Sequence, residues 1–233
     1  MKLQFDANQP FQLDAVAAVA DLFDGQPQGP PEYAVIDLGA WGDFFPGQDR
    51  SELGVGNHLL VGEDRLHANA RAVQTRNDID VPDPASPIEA WDLFDAPANR
   101  ERRCPHFSIE METGTGKTYV YLRSIVELHL KYGFRKFVIV VPSVAIREGV
   151  LNSLALLRDH IRDVYDGLQY DHHVYDGNAP GRVRQFATAP HLQLMVINIA
   201  AMTGDANTRL FYRPTDALNG YAPIEFLRAC RPI

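Results

Sequence analysis

The sequence predicts an α/β fold in which parallel strands gather around a loop that holds phosphates. Three observations carry this. Residues 107–118, FSIEMETGTGKT, join a short run of apolar character to a glycine-containing loop and then to a helix that opens on Lys117 and Thr118. Lys136 to Val141, KFVIVV, is continuous and β-branched, as expected of a parallel strand covered on both faces. Leu192 to Ile199, LQLMVINI, reads as another buried strand, and helical stretches separate the three.

The phosphate loop is the most informative stretch. Glycine lacks a Cβ, so at Gly114 and Gly116 the backbone can curl until several N–H groups point into one concavity, and the helix that follows adds the positive end of its dipole. In this reading Thr113, Gly114, Thr115 and Gly116 surround the phosphates of ATP. Lys117 would place its ammonium on the β and γ phosphates, and Thr118 would offer its hydroxyl to Mg²⁺. The general pattern asks for glycine six residues before the lysine, where this chain has Met111. That departure points away from a standard nucleotide kinase and toward the helicase variant of the loop.

Composition bounds the rest. The 233 residues are 45% hydrophobic and 22% charged, which describes a soluble globular chain with ample core material. No apolar run approaches the ~20 residues that cross a bilayer, and the opening MKLQFDANQ has no apolar signal region. The expectation is a cytoplasmic protein without a membrane partner. Cys104 and Cys230 are far apart with no metal-ligand spacing, so reduced structural thiols are expected. The net charge of -8 divides unevenly: residues 1–100 hold 6 Lys+Arg against 17 Asp+Glu, and residues 101–233 hold 16 against 13. The acidity belongs to the front of the chain, and the half with the phosphate loop is mildly basic, which permits contact with DNA.

In chain order, FQLDAVAAVADLF (Phe11 to Phe23) has the one-sided apolar spacing of a helix, with Asn8 or Gln9 before it and Pro10 at its first position. Gln12 near its start carries an amide that donates and accepts at once, which suits the N6 and N7 edge of adenine. The GQPQGPP cluster ends this helix. Residues 24–105 read as a loop-rich insertion containing one helix, Glu63 to Arg76, and a break at Pro82 to Pro87. Pro82 and Asp83 resemble the start of a nuclease motif, but no Asp/Glu-x-Lys follows, and no nuclease is assigned.

Phe107 to Glu110 is expected as a buried strand parallel to KFVIVV through an intervening helix that Gly133 stops as a left-handed cap. Ser143 can cap a helix from Val144 to about Asp159, and Arg147 in its first turns could hold a nucleic-acid phosphate. Tyr170 to Tyr175 is a short strand in which His172 and His173 face opposite sides, an arrangement unsuited to a shared metal. Thr203 to Gly220 is polar and loop-like, and Pro223 to Arg228 is a short helix. No apolar strand ends in an Asp-Glu pair able to hold Mg²⁺. Arg231-Pro232-Ile233 looks like the opening of such a strand, so the chain reads as an incomplete domain.

METGTGKTYVYLRSI, then KYGFRKFVIVVPSVAIREGV, with FQLDAV before and LMVINIAAM after, resemble the restriction subunit of type III restriction-modification enzymes. The resemblance implies a RecA-like motor of helicase superfamily 2 that moves on double-stranded DNA with ATP and cleaves it in complex with a modification methyltransferase. It implies that Gln12 reads adenine, that Gly114, Gly116, Lys117 and Thr118 form the phosphate loop, and that Ser143 and Arg147 touch the DNA backbone. It divides the chain into an adenine-side helix (1–23), an insertion (24–105) and a first motor lobe (106–233) ending before the Asp-Glu motif. Two other readings fit less of the sequence. One is a non-catalytic remnant or a nucleotide- or DNA-binding module, and the other is a small nucleotide kinase.

Overall fold

A computed structural model describes residues 6–29, 33–36, 52–81, 83, 85–95, 100–203 and 210–233. The chain divides into two units.

The larger unit, residues 28–59 and 125–233 with the first seven residues, is framed by a parallel sheet. Its strands are β5 (Lys136–Val141), β6 (Asp171–Val174) and β7 (Gln193–Asn198), in the order β5-β7-β6. The central strand is apolar on both faces and is accordingly buried from Gln193 to Ile197. β5 differs from expectation. It holds an outer place, so Val138 and Ile139 are only half-buried and Val140 is 49% exposed. On the edge of β5 opposite β7, Ile233 donates to the Lys136 carbonyl and accepts from the Val138 N–H, the parallel-strand bonding expected of the 231–233 stretch.

Helices α4 (Val144–Val164), α5 (Gly181–Thr188) and α6 (Pro223–Cys230) belong to this unit. α4 starts where predicted, with the Ser143 hydroxyl accepting from the Ile146 N–H at 3.3 Å. It continues five residues past the predicted end because Ile161 prolongs the buried series Val150, Leu154 and Leu157. α5 was not foreseen: eight residues with only Val183, Phe186 and Ala187 buried give a weak periodic signal. Those three residues join Met195, Ile197, Phe211, Phe226 and Leu227 in one apolar core cluster of this unit.

Two strands that sequence reading did not pick out, β1 (Tyr33–Ile36) and β2 (Glu52–Val55), form an antiparallel pair. Just past β2, Asn57 donates through Nδ2 to the Lys136 carbonyl and accepts at Oδ1 from the N–H groups of Arg135 and Lys136. Its own N–H bonds the Cys230 carbonyl, so one buried amide fastens the start of β5 to the end of α6. Lys136 is fully buried, and its ammonium donates to the carbonyls of Phe186 and Ala189, the unpaired C-terminal end of α5.

The smaller unit comprises residues 8–27 and 60–124. α1 (Pro10–Asp21) begins with proline at its first position, as predicted, and α2 (Glu63–Arg76) matches its predicted bounds. Leu22, Leu66 and Ala70 form the unit's small core. Asn69 ties the two helices by donating to the carbonyls of Leu22 and Asp24, both at 2.9 Å. β3 (Ala90–Asp95) and β4 (Arg100–Pro105) pair antiparallel. The sequence of β4, RERRCP, hides this, because charged residues are not a strand signature. Pro82 and residues 204–209, parts of the expected helix break and polar loop, lie outside the described residues, as do several stretches of the expected insertion.

The buried strand expected at Phe107 to Glu110 does not form. These residues are irregular, with Phe107 39% and Ile109 44% exposed. Ser108 and Glu110 alternate with the two apolar residues, so the segment has one apolar face where a strand inside a parallel sheet needs two. Among the described residues no strand pairs with it. α3 (Lys117–Tyr132) follows the loop as predicted and ends at Gly133, whose φ of +74° and N–H bond to the His129 carbonyl make it the left-handed cap. No helix among the described residues is long and apolar enough to cross a membrane.

Candidate nucleotide-binding site

The loop from Met111 to Gly116 is built by its glycines. Gly114 has φ +86° and Gly116 φ +85°, a region that L side chains rarely enter, so both turns require glycine. At Gly114 a Cβ would meet nothing within 4 Å, whereas at Gly116 it would lie 2.8 Å from Gln12 Nε2. Backbone conformation alone therefore selects glycine at 114, and close approach adds to it at 116.

The loop is also closed by its own polar groups. The Glu112 carbonyl accepts from the Thr115 hydroxyl and from the Lys117 ammonium, both at 2.7 Å. Thr113, Gly114 and Lys117 are exposed, while Thr115, Gly116 and Thr118 are half-buried. Lys117 thus bridges the two ends of the loop from its outer side, where a phosphate oxygen would compete with the carbonyl for the same ammonium. Its donors and its charge suit a polyanion.

Gln12 reaches this loop from α1. It is 9% exposed, and its Nε2 donates to the Thr115 carbonyl at 2.9 Å. A carbonyl only accepts, so the amide nitrogen must face Thr115 and Oε1 is the other end. That oxygen is buried and makes no hydrogen bond. Sequence reading named Gln12 and the loop separately; a bond across 103 positions has no local signature. The pair sets a covered acceptor beside the glycine loop. An amino group such as adenine N6 would satisfy it.

Thr118 is the second residue of α3, and Tyr121 lies one turn further on. Burial pushes the Tyr121 phenol above its ordinary pKa, with the Thr118 side chain opposing the rise.

In the larger unit, Ser143 and Arg147 occupy the start of α4. The serine hydroxyl is engaged as the helix cap. The Arg147 guanidinium bonds the Glu148 carboxylate at 2.8 and 3.1 Å, so a phosphate would have to replace a neighbouring carboxylate. Glu148 was legible in the sequence, and its competition for Arg147 was missed. His172 Nδ1 contacts the Arg158 guanidinium at 3.1 Å and His173 Nε2 contacts Gln193 Oε1 at 2.7 Å, each ring thereby joined to a different neighbour.

Comparison with known proteins gives a consistent result. Residues 71–215 match the family model described as type III restriction enzyme, res subunit. The chain is similar to the Res subunit of the type III restriction-modification enzyme StyLTI of Salmonella typhimurium, at 34% identity over 145 residues, which are 55% of this chain and 15% of that protein. It is 29% identical over 164 residues to the EcoPI Res subunit of Escherichia phage P1, covering 70% of this chain and 14% of the relative. With the EcoP15I Res subunit of Escherichia coli it shares 41% identity over 109 residues, 46% of this chain and 10% of the relative. The matched stretch therefore spans a small part of each relative.

Proposed function

The chain belongs to the type III restriction enzyme Res subunit family, and we propose that within it this stretch is the part that binds ATP. The family's domain is a P-loop helicase fold, and the mixed α/β architecture with a parallel sheet agrees with it. The observation that carries the proposal is Gln12: its Nε2 is held by the Thr115 carbonyl while its Oε1 is buried without a donor. A base that presents an amino group beside the phosphates would complete that acceptor once the atoms covering it move aside. Guanine, with a carbonyl oxygen at the corresponding position, would face it with repulsion.

In this reading the N–H groups of Thr113, Gly114, Thr115 and Gly116 surround the phosphates, and Lys117 exchanges the Glu112 carbonyl for a phosphate oxygen. Thr118 is the residue that would hold Mg²⁺, which supplies charge neutralisation at the β and γ phosphates when bound. Ser143 and Arg147 would meet a DNA phosphate once Arg147 leaves Glu148. Residues 1–23 serve as the adenine-side helix, 24–105 as an insertion and 106–233 as part of the first motor lobe. The activity of the whole enzyme, an ATP-dependent hydrolase that translocates on double-stranded DNA and cleaves it with a modification methyltransferase, is proposed for the protein of which this stretch is the motor part.

Base selectivity tests the assignment. The chain should bind ATP more tightly than GTP, and Gln12→Ala should remove about tenfold of that preference, the worth of one buried hydrogen bond at its upper range. Equal affinity for the two nucleotides in the unmodified chain would refute the role of Gln12.

A further inference from the structure

Tyr121 sits three residues after Thr118 in α3, the spacing at which helical side chains on one face touch. Its hydroxyl is buried and makes no hydrogen bond of good geometry. A phenylalanine would fill the same space without burying an unsatisfied oxygen, so packing alone does not explain a tyrosine. The neighbouring polar group is the Thr118 side chain, whose influence on the phenol is opposite to that of burial.

We propose that Tyr121 is a positioning residue for Thr118, taking the threonine hydroxyl proton so that the threonine oxygen turns its lone pairs toward the cation of a bound nucleotide. This rests on the reading of Thr118 as the Mg²⁺-facing residue. A hydroxyl has one proton and two lone pairs, and an oxygen that faces a cation must direct its proton elsewhere. The phenol oxygen of Tyr121 can accept it in a place that water does not reach. The side-chain rotor of Thr118 then has one preferred setting, and the buried phenol gains the partner it otherwise lacks. No bond is made or broken apart from these hydrogen bonds.

The test is Tyr121→Phe in the full chain, with ATP affinity measured by titration in Mg²⁺ and again in EDTA, and a thermal melt of each protein. The expected result is a melt unchanged or raised, ATP affinity in EDTA unchanged, and a Mg²⁺-dependent gain in affinity reduced about fivefold, the equivalent of one ordinary hydrogen bond. The effect should vanish in a Thr118→Val background, where no hydroxyl is left for Tyr121 to orient, and Tyr121→Leu repeats the removal of the phenol oxygen if the phenylalanine variant melts early. An undiminished Mg²⁺ gain in Tyr121→Phe, or an equal loss with and without Mg²⁺, overturns the proposal. An unmodified chain that binds ATP without any Mg²⁺ gain instead overturns the reading of Thr118, and the role of Tyr121 falls with it.

Discussion

Gly116→Ala is expected to destabilise the loop more than Gly114→Ala, and the difference can be worked from geometry. Both glycines sit near φ +85°, so an alanine at either costs about 1–2 kcal/mol of backbone strain. At 114 nothing else is disturbed, since no atom lies within 4 Å of the added carbon. At 116 the methyl would lie 2.8 Å from Gln12 Nε2 and must displace it. Displacement breaks the 2.9 Å bond to the Thr115 carbonyl and adds about 1 kcal/mol. Gly116→Ala should therefore total ~2–3 kcal/mol, and for a chain of this size each 1 kcal/mol lowers Tm by roughly 2–4 °C. The assay is a double-mutant cycle by denaturant unfolding: wild type, Gln12→Ala, each glycine variant, and each glycine variant combined with Gln12→Ala. In the Gln12→Ala background the two glycine variants should cost the same, because the group that the methyl strikes is gone. Equal costs in the wild-type background, or an excess at 116 that survives removal of Gln12, would refute the contact between α1 and the loop.

Burial lowers the Lys136 pKa from the ordinary 10.5 to about 8, so between those values the unfolded chain holds more protons than the folded one and stability from this group rises with pH. Burial raises the Cys230 thiol from 9.0 to about 12, which works in the opposite sense above pH 9. The clean window is thus pH 8 to 9, where Lys136 should add ~1 kcal/mol, a rise that equilibrium unfolding should lose in Lys136→Met. Ser143→Ala removes the cap of α4 and should cost ~1 kcal/mol in denaturant unfolding, while Ser143→Asp should restore it. Arg147→Ala should weaken binding to double-stranded DNA and lower the salt slope by about one, whereas Glu148→Ala should strengthen binding by freeing the guanidinium.

The parts of the fold that were legible in the sequence are those with a local cause. Pro10 opening α1, Ser143 capping α4 and Gly133 stopping α3 each act within a few residues, and LQLMVINI announces a central strand by being apolar on both faces. The misreadings concern partners rather than propensities. FSIE has strand-like residues but pairs with no strand among the described residues, and RERRCP has none yet pairs along its whole length with β3. The buried ammonium of Lys136 was invisible for the same reason: its partners are the carbonyls at the end of α5, about fifty positions away. In the candidate site, Gly114, Gly116, Lys117 and Thr118 were readable from spacing. The bond that brings Gln12 to Thr115 and the buried hydroxyl of Tyr121 required the three-dimensional arrangement.

The most direct measurement of the central claim is a calorimetric titration of the chain with ATP in excess Mg²⁺, repeated on Lys117→Ala. A charge-assisted bond from the ammonium to phosphate is worth about 1.5–3 kcal/mol, so the variant should bind roughly 10- to 100-fold more weakly. Saturable binding that is undiminished in Lys117→Ala would place the nucleotide elsewhere and contradict the account.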